Sequence, residues 1–234
     1  MKPFAYFFLM AFVVYGTRVC GQFALIHDAE GFVNVRSEPE FKNNVIDTLH
    51  TGRVVWCFEK VEKKDWYNVD YCKKGNFLNG YIHKSRLKLI TDFERIPVKN
   101  ETKDQVIFQK DSIKVTILRR NFIAAEHKLL NKTNSGLKYL AEIDNEQIWG
   151  TDGGIPKIQY KSITVDFGRR KTELPDSALK NLFEPNFNFT EVHCDRKGDK
   201  LFINAMNSDG AGGYVVLLII EKGQYKSRMV TLGF

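Results

Sequence analysis

Asp28-Ala29-Glu30-Gly31-Phe32-Val33-Asn34-Val35-Arg36-Ser37-Glu38-Pro39 decides how the first third of this chain is read. The stretch holds a glycine turn, an alternating segment from Phe32 to Arg36 and a proline bend. Period-two alternation between turn residues marks a strand with one buried face. The sequence downstream keeps that rhythm. Val45-Ile46-Asp47-Thr48-Leu49 leads to a turn at Gly52, and Val54-Val55-Trp56-Cys57-Phe58 follows. After a charged turn at 60–65 come Trp66-Tyr67-Asn68-Val69 and then Gly80-Tyr81-Ile82-His83. Short alternating segments between glycine-bearing turns predict a small all-β barrel. Its expected core is Val33, Val35, Val45, Ile46, Leu49, Val54, Val55, Val69 and Ile82.

These pieces resemble a bacterial SH3 (SH3b) domain, whose pattern opens on GxxNVRSxP, continues through KGxxV and gDWxxV strands and closes on GYVHxSxL. Gly31 to Pro39 carries the opening here, Asp65 to Val69 the middle, and Gly80 to Leu87 the close, so the resemblance spans 24–90. It implies an SH3-like small β-barrel that acts as a binding module, with a groove where aromatics and loops meet. On that pattern the groove residues are Phe32, Asn34, Arg36, Glu38, Trp66, Tyr67, Tyr81 and His83. Trp66 and Tyr81 would offer flat faces to a peptide or sugar, and Arg36 would pair with a carboxylate. The competing reading is structural: Asn34 bonds the turn, Arg36 lies along the barrel wall and Trp66 caps the core.

The N-terminus predicts export. Lys2 is a short basic region, the segment 3–15 is apolar and rich in Phe, and Val19-Cys20-Gly21 precedes Gln22. That is the anatomy of a signal peptide over 1–21, and the run falls short of the roughly 20 apolar residues of a membrane span. Cys20 offers the alternative of a lipid anchor, although Arg18-Val19 lacks the small residue a lipobox wants. Lys2 and Arg18 leave with the leader, which takes the formal charge from +7 to +5. No block of five like charges occurs, so a nucleic-acid partner is not expected. Nor is a membrane span once the leader is gone. The expected location is periplasmic or extracellular.

The barrel is assigned 22–92, and the polar segment 93–104, which contains Pro97, reads as a linker. Residues 105–234 read as an antiparallel, β-rich α+β domain. Strands are expected at 105–108, 113–118, 137–143, 146–149, 158–167, 189–195, 200–204, 214–221 and 225–232, with 121–130 a strand or a short helix. The best helix is 174–183, opened by Pro175 and Asp176, with Leu179, Leu182 and Phe183 on one face. The fold class is therefore mainly β. This second part resembles a module of exported bacterial proteins through its WGTDGGIP (149–156) and NSDGAGGYVV (207–216) stretches. That resemblance implies no activity.

Two loops of the second part, Thr151-Asp152-Gly153-Gly154 and Ser208-Asp209-Gly210-Ala211-Gly212-Gly213, could flank a shared cleft with Trp149 and Tyr214, or could simply be hairpin turns. Cys57 and Cys72 sit on strands either side of one turn and would form a disulfide if the register allows, or remain buried thiols. An enzyme needs a nucleophile with its base. Cys194 has no histidine after it, His27, His50, His83, His127 and His193 are scattered, and neither HExxH nor GxSxG occurs. No metal or cofactor is expected. A non-catalytic binding protein for cell-wall peptide or another envelope ligand is the favoured reading. The alternatives are an inhibitor or immunity-type protein that binds a partner enzyme, and a wall hydrolase with an unrecognised pair of carboxylates. Asn100, Asn131 and Asn188 begin N-x-Thr sequons, which carry meaning only in a eukaryotic source.

Overall fold

The computed structural model describes residues 21–58, 65–208 and 210–233. Residues 1–20 lie outside them, and with these the leader and Cys20, as do most of the 60–65 turn and Asp209. The described chain is mainly β, in curled antiparallel sheets.

The N-terminal part builds one seven-stranded sheet. Its strands are β1 (Gln22–Ile26), β2 (Phe32–Arg36), β3 (Val45–His50), β4 (Val54–Phe58), β5 (Trp66–Lys73), β6 (Asn76–His83) and β7 (Leu87–Leu89). They lie in the order β3-β2-β6-β5-β4-β1-β7. Ala24, Ile26, Val33, Val35, Leu49, Val55, Cys57, Val69, Tyr71 and Ile82 form a single core on the inner face. Leu49 at one end of that order and Leu87 and Leu89 at the other reach the same cluster, so the sheet is curled into a half-barrel. Gly80 sits where β6 crosses β2. A Cβ there would fall 2.4 Å from Val35 Cγ1 and 3.0 Å from the Arg36 carbonyl oxygen, so only glycine permits this approach. Val45 and Ile46, expected in the core, are 46% and 53% exposed. A bulge between Val35 and Arg36 breaks the pairing of β2 with the start of β3 and turns that end of the edge strand outward.

The remaining strands make two facing sheets and a small third one. They are β8 (Glu94–Ile96), β9 (Val98–Glu101), β10 (Gln105–Lys110), β11 (Ile113–Asn121), β12 (Leu129–Asn134), β13 (Leu137–Ile143), β14 (Glu146–Gln147), β15 (Ile158–Phe167), β16 (Arg170–Glu173), β17 (Thr190–Asp195), β18 (Lys200–Asn207), β19 (Tyr214–Glu221) and β20 (Gln224–Thr231). The orders are β16-β15-β11-β10-β9, β20-β19-β18-β17-β8 and β12-β13-β14. The first two close on a core that includes Phe108, Ile113, Val115, Ile163, Val165, Leu201, Ile203, Val216 and Leu218. The segment 93–104 is therefore no loop. It supplies an edge strand to each facing sheet, and the chain passes between them at Pro97. Strands of three and four residues are too short to show a period, which hid them in the sequence.

The expected helix over 174–183 is a single turn, α1 (Asp176–Leu179). Lys180 leaves helical geometry and Asn181 takes φ 60°. Leu182 then bridges to Trp149 and Phe183 to Gln159, so burial of two side chains in different cores overrides helix propensity. Residues 121–130 hold a 3-10 turn at Ala124–Glu126 and the first residues of β12.

The two parts are joined by a third apolar cluster. Phe23, Leu25 and Trp56 on the outer face of β1 and β4 pack with Ile90, Phe93, Phe202, Val215, Leu217 and Met229. The β19 run YVVLLII has no polar alternation because it is covered on both faces, by the facing sheet and by the half-barrel. At about 25 cal/mol per Å² of apolar surface, residues of this size contribute roughly 1.5–3 kcal/mol each.

Candidate functional site

The outer face of the half-barrel is divided. Cross-strand partners share a face, so Trp66 with His83, Asn68 with Tyr81, and Tyr81 with Arg36 all point outward. On this flank a small cleft of about 80 Å³ is lined by Asp28, Glu30, Phe32, Asn34, Arg36, Phe41, Trp66, His83 and Arg86, with Val33 behind them. All of its lining comes from the half-barrel. The flank pressed against the sandwich carries Phe23, Leu25 and Trp56 instead.

The cleft is built on an aromatic stack. Trp66 is 6% exposed and lies edge-on to His83 at 5.3 Å. Phe41 covers both, 4.9 Å from Trp66 and 5.3 Å from His83, and is itself 68% exposed. His83 Nδ1 accepts from the Ser85 backbone N–H, which leaves the ring proton on Nε2. The Arg36 guanidinium lies 5.4 Å from the Phe41 ring centre and donates to the Lys42 carbonyl and to Asn44 Oδ1. Asn44 in turn donates to the Glu38 carbonyl. Arg36 thus holds the loop that carries Phe41. At the other end the Asp28 carboxylate pairs with Arg86 and accepts from the Glu30 backbone N–H. These contacts, the Arg86 hydrogen bond first, hold its pKa below the usual range.

Of the residues expected in the groove, Phe32, Asn34, Arg36, Trp66 and His83 meet in this cleft, and Glu38 lies outside its lining. Trp66 is a floor, covered by a neighbour. Tyr81 lies on the same face, cross-strand from Arg36, outside the lining. Tyr67 points the other way: it pairs with Ile82 and packs against the inner core, with Lys84 4.9 Å from its ring centre. Phe41 was missed, since it sits in an irregular loop with no period to mark it. Glu30 and Arg86 were missed as ordinary turn charges, although Arg86 lies inside the closing motif and Glu30 immediately before the opening one.

In the second part the two glycine loops do converge. A Cβ on Gly212 would come within 3.0 Å of the Thr151 backbone, and Trp149 and Tyr214 lie 6.0 Å apart. They do not leave a cleft between them that Tyr214 lines. Tyr214 is 1% exposed, donates to the Phe183 carbonyl at 3.0 Å and accepts from Asn207, which also donates to Tyr160. It is part of a buried polar network. Asp152 is exposed, and Asp209 lies outside the described residues.

A larger cleft of about 520 Å³ lies instead beside α1, lined by Arg120, His127, Asp144, Glu146, Gln159, Lys161 and Asp176 among others. His127 Nδ1 lies 2.7 Å from Asp144, and its ring stacks on Phe122. The His127 hydrogen bond, and then the Lys128 backbone N–H, lower the Asp144 pKa. With the Gln159 amide oriented to accept from Arg120, its nitrogen donates to His127 Nε2 at 3.2 Å. Both ring nitrogens are then engaged. The imidazole is an oriented structural group, and no lone pair faces the cleft as a base.

The expected disulfide does not form. Cys57 pairs with Val69 and Cys72 with Phe77, so the two cysteines stand three residues out of register, on the order of 10 Å apart. Cys57 faces the inner core, and burial pushes its thiol pKa up. Cys194 is also a free, buried thiol, pushed up to about 11 by burial. Among the described residues no three His, Cys, Asp or Glu side chains gather as a metal cluster. No helix among them is long and apolar enough to cross a membrane. Comparison with protein-family models, with curated proteins and with solved structures finds no match to this chain.

Proposed function

We propose that this is an exported, non-catalytic binding protein whose N-terminal half-barrel acts as an SH3b-like module on cell-wall peptide. One observation carries the reading. The flank of the half-barrel that bears the aromatic cleft is open, while the flank that packs on the sandwich is the apolar one. A binding surface must stay exposed, and an exposed aromatic on a rigid scaffold is what such a surface uses. The cleft is well below the 300–1,000 Å³ of small-molecule sites. It suits the terminus of one peptide side chain better than a sugar ring.

The experiment is retention on purified sacculi of the chain from Gln22 to Phe234, beside its Phe41→Ala variant, with the supernatant assayed for released muropeptides. Retention that falls about tenfold in the variant, with nothing released, supports the proposal. Release of soluble fragments would move the reading to a hydrolase, with the carboxylates of the cleft beside α1 as the first suspects. An isolated half-barrel is the wrong reagent, because cutting after Asp92 would strip the cover from Phe23, Leu25, Trp56 and Ile90.

A further inference from the structure

Among the charged residues of the aromatic cleft, the commitments are unequal. Asp28 and Arg86 neutralise each other. Arg36 is tied through one guanidinium nitrogen to Lys42 and Asn44 and lies against Phe41. Glu30 differs. Its backbone N–H is used by Asp28, while its carboxylate makes no hydrogen bond or close ion pair among the described residues; it feels Arg86, already paired with Asp28, only at longer range, and it is exposed at the cleft edge. The turn that presents it is fixed from both sides, by the Asp28 hydrogen bond and by Gly31 at φ 83°. Phe32, 40% exposed, and Phe41 supply apolar walls beside it.

A carboxylate without a direct partner, presented by a fixed turn next to exposed aromatic rings, is complementary to an alkylammonium. The charge pairs with the carboxylate, and the methylene stem and the charge both favour ring faces. The volume of about 80 Å³ admits such a terminus. From this, and resting on the wall-binding reading above, we infer that the cleft selects wall peptide through a free primary amine docked on Glu30. Arg36 is then a positioning residue for the Phe41 loop, in place of the carboxylate clamp that its residue type suggested.

The test compares retention on native sacculi and on sacculi whose free amines have been acetylated, for the wild-type chain, Glu30→Gln and Arg36→Lys. Acetylation should weaken wild-type retention about tenfold, the size of one charge-assisted contact. Glu30→Gln should lose the same factor on native sacculi and show no further loss on acetylated ones, as two cuts of a single contact do. Arg36→Lys keeps the charge but loses the planar guanidinium that lies against the Phe41 ring while bonding Lys42 and Asn44. It should weaken binding to both preparations by a similar factor and preserve the preference for the amine. Wild-type retention indifferent to acetylation, or Glu30→Gln that still discriminates, overturns the inference and leaves wall binding standing. No wild-type retention on either preparation overturns the wall-binding reading itself, and the inference with it.

Discussion

The two flanks of the half-barrel come from the same seven strands and meet opposite fates. On β1 and β4 the outward positions are Phe23, Leu25 and Trp56, and they vanish into a shared core with Phe202, Val215 and Leu217. On β2, β5 and β6 the outward positions include Phe32, Asn34, Arg36, Asn68, Tyr81 and His83, none of them fully buried, with Trp66 beneath Phe41 as their floor. The inner faces of all these strands are alike. The difference teaches that in a small curled sheet the inner face specifies the fold, while the outer face records what each flank touches. An apolar outer flank belongs to the rest of the molecule, and a mixed aromatic and charged one is left for something else.

The largest break would come at the shared core. Phe202→Asp places an unpaired charge between the two parts and should unfold the protein or cost roughly 5 kcal/mol. Chemical denaturation should show both parts lost together, in one transition; two separate transitions would mean that the flanks are independent. Gly80→Val tests the inner face. It drives a side chain into Val35 and should cost about 1–3 kcal/mol, read as a lower denaturation midpoint. Tyr214→Phe removes the hydroxyl that joins Asn207 to the Phe183 carbonyl, and should cost about 1–2 kcal/mol without touching sacculus retention. Retention lost at unchanged fold would restore Tyr214 to a binding role.

Glu94 sharpens the comparison by pH. The Arg196 and Lys110 hydrogen bonds bring its pKa from the ordinary 4.5 down to about 2. A carboxyl with a depressed folded pKa stabilises above its unfolded value and loses that contribution as pH falls through the folded one. Stability should therefore decline between about pH 4.5 and pH 2, with a shallower decline in Glu94→Gln. An equally steep decline in the variant would assign acid sensitivity to other carboxylates. The smallest stability effect belongs to the open flank. Phe41→Ala should shift the midpoint by less than about 0.5 kcal/mol, because Phe41 is mostly exposed.

Long strands were plain in the sequence. The alternating stretch Ile158–Phe167 and the run Tyr214–Glu221 were expected with the bounds they have. What escaped was whatever depends on the partner and not on the strand. The apolar run of β19 looked like any buried strand, and nothing in it says that two different layers cover it. The three and four residues of β8 and β9 carry no period, so a segment that stitches two sheets together looked like a linker. The helix over 174–183 had the right opening and the right spacing, yet Leu182 and Phe183 are drawn into separate cores. Cys57 and Cys72 required a register that sequence does not state. The site was half legible. The motif marked Phe32, Asn34, Arg36, Trp66 and His83, but Phe41, which turns Trp66 from a ligand face into a floor, lies in a loop whose position is set by Arg36 and Asn44.

The most direct measurement is sacculus retention of the chain from Gln22 onward beside Phe41→Ala, with the two shown to be equally stable. The account expects wild-type protein to be retained and the variant to lose about tenfold, since the substitution removes the exposed ring from the open flank and nothing from the core. Equal retention of the two proteins, or none by either, would contradict it.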